Sequence, residues 1–117
     1  KMIDDVREWK LEGDRIGINI EANKLSNEEK EEVFQKLLSW REKFYFYGIN
    51  EKVILLSQAT DGQLYLLIDR YLILSFEVLQ NENSEETFNK LISELANLDG
   101  DITEQLVHLE TKLLQND

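Results

Sequence analysis

The predicted fold depends on residues 52–79, which read KVILLSQATDGQLYLLIDRYLILSFEVL. Three apolar runs, at 53–56, 64–68 and 71–74, are short and rich in β-branched or aromatic residues, as is typical of strands. Asp61-Gly62 separates the first two runs, and glycine adopts positive φ without steric cost. The stretch therefore predicts a β-hairpin, with one long second strand favoured over two short ones.

The N-terminal segment predicts a second hairpin. Residues 2–9 fit either a short helix or the approach to a strand. From there on, apolar and polar residues alternate on both sides of Glu12-Gly13-Asp14, which is typical of strands joined by a turn. The alternating apolar positions are Trp9, Leu11, Ile16, Ile18 and Ile20.

A helix is predicted from Ser26, because Ser26 and Glu29 have the spacing of a capping box. It should run to about residue 45 and stop near Gly48. Its apolar positions cover about half of the circumference, wider than the stripe of a helix lying on one sheet. Either the helix is sunk in its own core or part of this face meets a second copy of the chain. The expected dimer interface consists of Phe34, Leu37, Trp40, Phe44 and Tyr47.

Two further helices are predicted at the C-terminal end. Ser84 opens the first, Asp99-Gly100 breaks it, and Asp101 with Glu104 caps the second. The predicted order is β-β-α-β-β-α-α. This is a single α+β domain over residues 1–117, with an antiparallel sheet of about four or five strands and helices packed on it.

Charge is the strongest property of the whole chain. It has 24 acidic and 13 basic residues, a net charge of −11 and a pI near 4.5. Such a chain is a poor general binder of nucleic acid or anionic membrane. The acidity indicates either a basic partner or simply solubility. Without cysteine, membrane span or signal peptide, the expected location is the cytoplasm.

No chemical motif is apparent. His108 is the only histidine, which rules out a histidine triad or a multi-histidine metal site. The glycines lack phosphate-loop spacing, and residues 99–104 suit helix capping better than a calcium loop. We therefore predict no catalytic residues, no metal and no cofactor, and the chain is not expected to be an enzyme.

Residues from about 32 to 109 resemble the class I chaperones of bacterial type III secretion, and more distantly YbjN-like domains. The features that match are the helix ending in Leu37-Leu38-Ser39-Trp40, the strand at 53–58, the DG hairpin, the strand Leu64-Tyr65-Leu66-Leu67 and the helix at 87–95. The resemblance implies a homodimer or heterodimer without enzymatic activity that holds an extended segment of a secreted protein.

An extended segment needs a free sheet edge with exposed apolar side chains. The N-terminal hairpin could provide one, so Trp9, Leu11, Ile16, Ile18 and Ile20 are the predicted partner-binding residues. The alternative is an acidic immunity or anti-defence inhibitor that blocks a basic site on a toxin, nuclease or nucleic-acid-binding protein. The two differ in what binds, because a chaperone takes an extended peptide whereas an inhibitor docks as a folded acidic surface.

Overall fold

A computed structural model of the protein describes residues 2–21, 25–60, 62–80 and 84–115. Over these residues the chain is helical and has no strand, so the predicted α+β fold with an antiparallel sheet, in the order β-β-α-β-β-α-α, is wrong. The helices of the described chain are α1 (Met2–Glu21), α2 (Asn27–Phe46), α3 (Ile49–Ser57), α4 (Gln63–Gln80) and α5 (Glu85–Gln115).

Helix α4 replaces the predicted long strand, and its burial pattern gives the reason. Positions 64, 68, 71, 72, 74, 75, 78 and 79 are buried, and the series 64, 68, 71, 75, 78 has the three-to-four-residue spacing of a helix. Leu66 should share a face with Leu64 in a strand, yet Leu66 is 62% exposed and Leu64 is fully buried. Leucine and isoleucine are so dense here that both periods fit the sequence, and packing selects the helical one.

Helix α1 replaces the predicted N-terminal hairpin. Its buried apolar residues, Ile3, Val6, Trp9, Ile16 and Ile20, are spaced for one helical face. The glycine that suggested a turn lies inside this face. A side chain at Gly13 would overlap the buried ring of Trp40, so Gly13 is a site of close helix packing.

Helix α2 follows its sequence prediction closely. The capping box is confirmed: Glu29 N–H donates to Ser26 Oγ at 3.2 Å, and Ser26 N–H donates to Glu29 Oε1 at 3.1 Å. Gly48, at φ +90°, separates α2 from α3. Helix α3 takes the place of the strand predicted at 53–56, with Val53 and Leu56 turned inward.

Helix α5 is continuous over 31 residues, so the break predicted at Asp99-Gly100 is wrong. Glycine inside a helix costs about 1 kcal/mol relative to alanine. That cost is outweighed because the buried stripe runs past Gly100 without interruption, through Leu95, Leu98, Ile102, Leu106 and Leu109. The predicted start is confirmed, since Thr87 N–H donates to Ser84 Oγ at 3.3 Å.

The centre of the molecule is a pair of stacked tryptophans. The rings of Trp9 (α1) and Trp40 (α2) lie 4.2 Å apart and nearly parallel, at 8°. Each indole N–H donates to the backbone carbonyl of the other residue, at 2.9 Å from Trp9 and 2.7 Å from Trp40. Phe44 and Tyr71 pack against this pair. The contact fixes α1 on α2, and all the described helices contribute residues to the same core.

The predicted hairpin turn at Asp61-Gly62 is instead the connection between α3 and α4. Asp61 lies outside the described residues, whereas Gly62 has φ +81° with open space around its α-carbon. We expect Gly62→Val to lower the free energy of unfolding by about 1–2 kcal/mol, because a β-branched residue resists positive φ. Gly62→Asn should lower the free energy of unfolding by less, because asparagine tolerates positive φ better than valine does. Urea denaturation measures both, and equal stability of Gly62→Val and wild type would contradict the prediction.

Candidate functional site

The residues predicted to bind a partner are mostly core residues. Trp9, Ile16 and Ile20 are at most 5% exposed in α1. Leu11, 54% exposed, lies on the outer side of the same helix. The side chain of Ile18 lies outside what the structure describes. The sheet edge predicted to receive an extended peptide is absent from the described chain, because these residues form a helix.

The residues predicted to form a dimer interface divide in the same way. Leu37, Trp40 and Phe44 are at most 2% exposed and pack inside the domain. Phe34 is partly buried, and the centre of its ring lies 5.8 Å from that of Phe76 in an edge-to-face contact. Of the five residues, only Tyr47 is well exposed. The wide apolar face of α2 therefore has the simpler of its two explanations, a helix surrounded by its own core.

A concavity of the described chain lies between the α3–α4 connection and the C-terminal half of α5. This α5 groove has a volume of about 790 Å³. Its walls combine carboxylates, hydroxyls, two amides, an imidazole, an ammonium group and a few apolar side chains. The lining residues are Ala59, Thr60, Gln63, Leu67, Asp101, Glu104, Gln105, Val107, His108, Thr111 and Lys112.

Two carboxylates of the groove, Asp101 and Glu104, have no structural role in the described chain. The predicted capping role fails, because both residues lie in the middle of α5 rather than at a helix start. Neither makes an ion pair or a hydrogen bond with another described side chain, and both are exposed. They therefore add negative charge to the groove wall without stabilising the fold.

Neighbouring Asp99 differs from these two residues. Its Oδ1 accepts from Lys10 Nζ at 2.9 Å, and the same ammonium group contacts Asp14 Oδ1 at 3.0 Å. Burial raises the pKa of Asp14, while the hydrogen bond from Lys10 opposes that shift. This cluster joins α1 to α5. Asp99 is thus part of the structure, whereas Asp101, two residues on, faces the groove.

Polar groups close to these carboxylates complete the groove. Lys112 Nζ donates to the carbonyl of Ala59 at 3.1 Å and ties the end of α5 to the α3–α4 connection. His108 is exposed on the groove wall. Gln105 Oε1 is buried and has no hydrogen-bond partner among the described residues. An unpaired buried acceptor costs about 1–3 kcal/mol, so this oxygen is an unsatisfied group in the groove wall.

A second polar contact lies on the opposite side of α4. The hydroxyl of Tyr45 donates to Asp69 Oδ1 at 2.6 Å. Burial, reinforced by the hydrogen bond and by the charge of Asp69, raises the pKa of Tyr45 to about 12. The phenol therefore stays protonated at neutral pH and acts as a hydrogen-bond donor that fixes α2 on α4.

Metal binding and membrane crossing find no support in the described chain. Across residues 2–21, 25–60, 62–80 and 84–115, no three histidine or carboxylate side chains lie close enough together to hold a metal ion. Among the helices α1 to α5, none combines the length and the apolarity that crossing a membrane requires.

Comparison of the chain with protein-family models, with curated proteins and with solved structures finds no match. The resemblance to secretion chaperones therefore gains no support from relatives. The sheet that this resemblance implied is replaced by helices in the described residues.

Proposed function

We propose that this chain is a non-enzymatic binding protein that docks, as a folded helical domain, on a basic surface of a partner protein through the α5 groove. The supporting observation is the pair Asp101 and Glu104, two groove carboxylates that no cap or described ion pair explains. By contrast, Glu29 closes the α2 capping box, and Asp99 pairs with Lys10.

The composition of the groove suits such a partner. A net charge of −11 attracts a basic surface from a distance and raises the association rate. At contact, Asp101 and Glu104 can accept hydrogen bonds from arginine or lysine side chains. Val107, 56% exposed beside them, offers an apolar contact of the kind found at the centre of protein interfaces.

This proposal keeps the inhibitor alternative and gives up the mechanism of the chaperone. Strand addition requires an open sheet edge, and the described residues form no sheet. A folded acidic surface requires only that the helices hold their carboxylates outward, as α5 does with Asp101 and Glu104.

Capture from a lysate of the source organism, followed by calorimetry with the purified partner, tests the proposal. We expect Asp101→Asn combined with Glu104→Gln to weaken binding by about tenfold or more, equivalent to about 1.4 kcal/mol. The matched control is Glu28→Gln with Glu32→Gln, which removes the same charge from exposed positions of α2. It should change affinity by about twofold at most, since distant charges are screened.

Salt provides a second measurement on the same complex. Wild-type affinity should fall as the salt concentration rises, and the groove variant should lose much of that dependence. Equal weakening by both double variants would mean that only net charge matters. Binding that is insensitive to salt would contradict a basic partner surface.

A further inference from the structure

Helix α4 carries an exposed stripe on the side opposite to its buried face. The α4 stripe consists of Leu66, Arg70, Ile73 and Glu77, spaced four, three and four residues apart and therefore aligned along one helical face. Leu66 is 62% exposed and Ile73 is 55% exposed. Large apolar side chains aligned in this way are typical of a contact surface.

We propose that the α4 stripe is the contact between two copies of this chain, packed antiparallel about a two-fold axis that passes beside Ile73. A two-fold contact uses the same surface on both copies, so the surface must complement itself. Arg70 and Glu77 lie seven residues apart, about 10 Å along the helix, with Ile73 close to their midpoint. The axis therefore brings Arg70 opposite Glu77 of the partner subunit, and Glu77 opposite Arg70 of the partner subunit.

The charges of the stripe complement each other about the proposed axis. Two chains of net charge −11 repel each other over most of their surface. The stripe itself carries one cation, Arg70, and one anion, Glu77. Glu94, which pairs with Arg70 at 2.9 Å, and Asp69, which accepts from Tyr45, add two further negative charges beside it. The two Arg70–Glu77 pairs across the axis are therefore the contacts that offset the repulsion between two acidic copies.

The shape of this face also suits a helix from a second copy. A groove of about 450 Å³ lies between α4 and Glu94 of α5, and all four stripe residues line it together with Asp69 and Leu74. Two antiparallel helices pack by placing side chains of one into the grooves of the other. Ile73 of each copy can enter this groove of the other. The contact involves one helix pair, which belongs to the small and concentration-dependent interfaces.

This proposal does not depend on the proposed function, because the α5 groove and the α4 stripe share no residue. It replaces the predicted dimer surface of α2, whose central residues Leu37, Trp40 and Phe44 are buried within one copy.

Sedimentation equilibrium over a series of concentrations tests the contact by charge exchange. At about 0.15 M salt, where charges more than about 8 Å apart are screened, wild type should show a monomer–dimer equilibrium. Arg70→Glu places two like-charged pairs across the axis, and so does Glu77→Arg. We expect each single variant to weaken the dimer by about tenfold or more. The double variant Arg70→Glu with Glu77→Arg should restore it, because the pairs are re-formed with exchanged signs.

Three controls separate this contact from other effects. Lys36→Glu makes the same charge change as Arg70→Glu at an exposed position of α2 and should leave the dimer unchanged. Glu94→Gln removes the partner of Arg70 within one copy and should not weaken the dimer. Ile73→Asp should abolish dimerisation while circular dichroism shows an unchanged helical fold, because Ile73 is exposed in the monomer.

Three outcomes would overturn the proposal. The first is a wild type that stays monomeric at every concentration, which would assign the stripe to a different partner. The second is a dimer that survives Ile73→Asp. The third is a double charge exchange that remains as weak as the single variants although it is folded.

Discussion

Gly13→Ala should destabilise the protein by about 3 kcal/mol, although replacing glycine by alanine inside a helix normally stabilises it by about 0.5–1 kcal/mol. A β-carbon at Gly13 would lie 2.6 Å from Cε2 and 2.8 Å from Cη2 of Trp40, closer than side-chain atoms approach each other. The Trp40 ring cannot move aside, because Trp40 is 2% exposed, its ring is stacked on Trp9, and its indole N–H donates to the backbone carbonyl of Trp9. Helices α1 and α2 must therefore separate.

Gly100→Ala is the matched control, since Gly100 also lies inside a helix and a β-carbon there would meet no atom within 4 Å outside its own stretch of helix. It should stabilise the protein by about 0.5–1 kcal/mol. Urea denaturation followed by circular dichroism measures both variants. The two substitutions are chemically identical, so opposite signs can come only from the packing around each site. A stabilising Gly13→Ala would mean that α1 and α2 do not meet at Gly13.

The same glycines explain where the sequence misleads. Local pattern predicts a turn at Gly13 and a helix break at Gly100, because glycine ends helices more often than it continues them. At Gly13 the reason for glycine lies on another helix, in the ring of Trp40, which no local pattern contains. At Gly100 the helix continues because its apolar face is long enough to outweigh one weak position. Both outcomes depend on tertiary contacts.

Three local features were predictable because they act within a few residues. The Ser26–Glu29 capping box, the start at Ser84 and the position of Gly48 after α2 all follow from side chains close to the backbone groups they satisfy. The sequence could not decide whether residues 64–79 form a helix or a strand, because apolar side chains would occupy both faces of either one. Leu66 decides the question only through its exposure.

The candidate surfaces were missed for a related reason. Asp101 and Glu104 had a sufficient local explanation as a helix cap, and this explanation disappears only once α5 is known to be continuous. The α4 stripe does not exist in a strand, where Arg70 and Ile73 point to opposite faces. The one available signal was the spacing of positions 66, 70, 73 and 77, which is regular at the helical period.

Trp40→Ala should lower the free energy of unfolding by about 3–5 kcal/mol, the range for removing a buried tryptophan from a packed core. The ring contacts α1 through Trp9 and α4 through Tyr71, so its loss leaves a cavity where three helices meet. The hydrogen bond from its indole N–H to the Trp9 carbonyl is lost as well. For many small domains this is a large share of the total stability.

Phe46→Ala is the control for Trp40→Ala, because it removes an aromatic side chain that is 78% exposed near the end of the same helix. It should change stability by no more than about 0.5 kcal/mol. Urea denaturation of both variants, followed by circular dichroism, gives the comparison. Trp40→Glu should leave the chain unfolded, since it places an unpaired carboxylate in the same core. A folded Trp40→Glu protein would contradict the buried tryptophan pair, because only an exposed Trp40 could be replaced by a charge at so little cost.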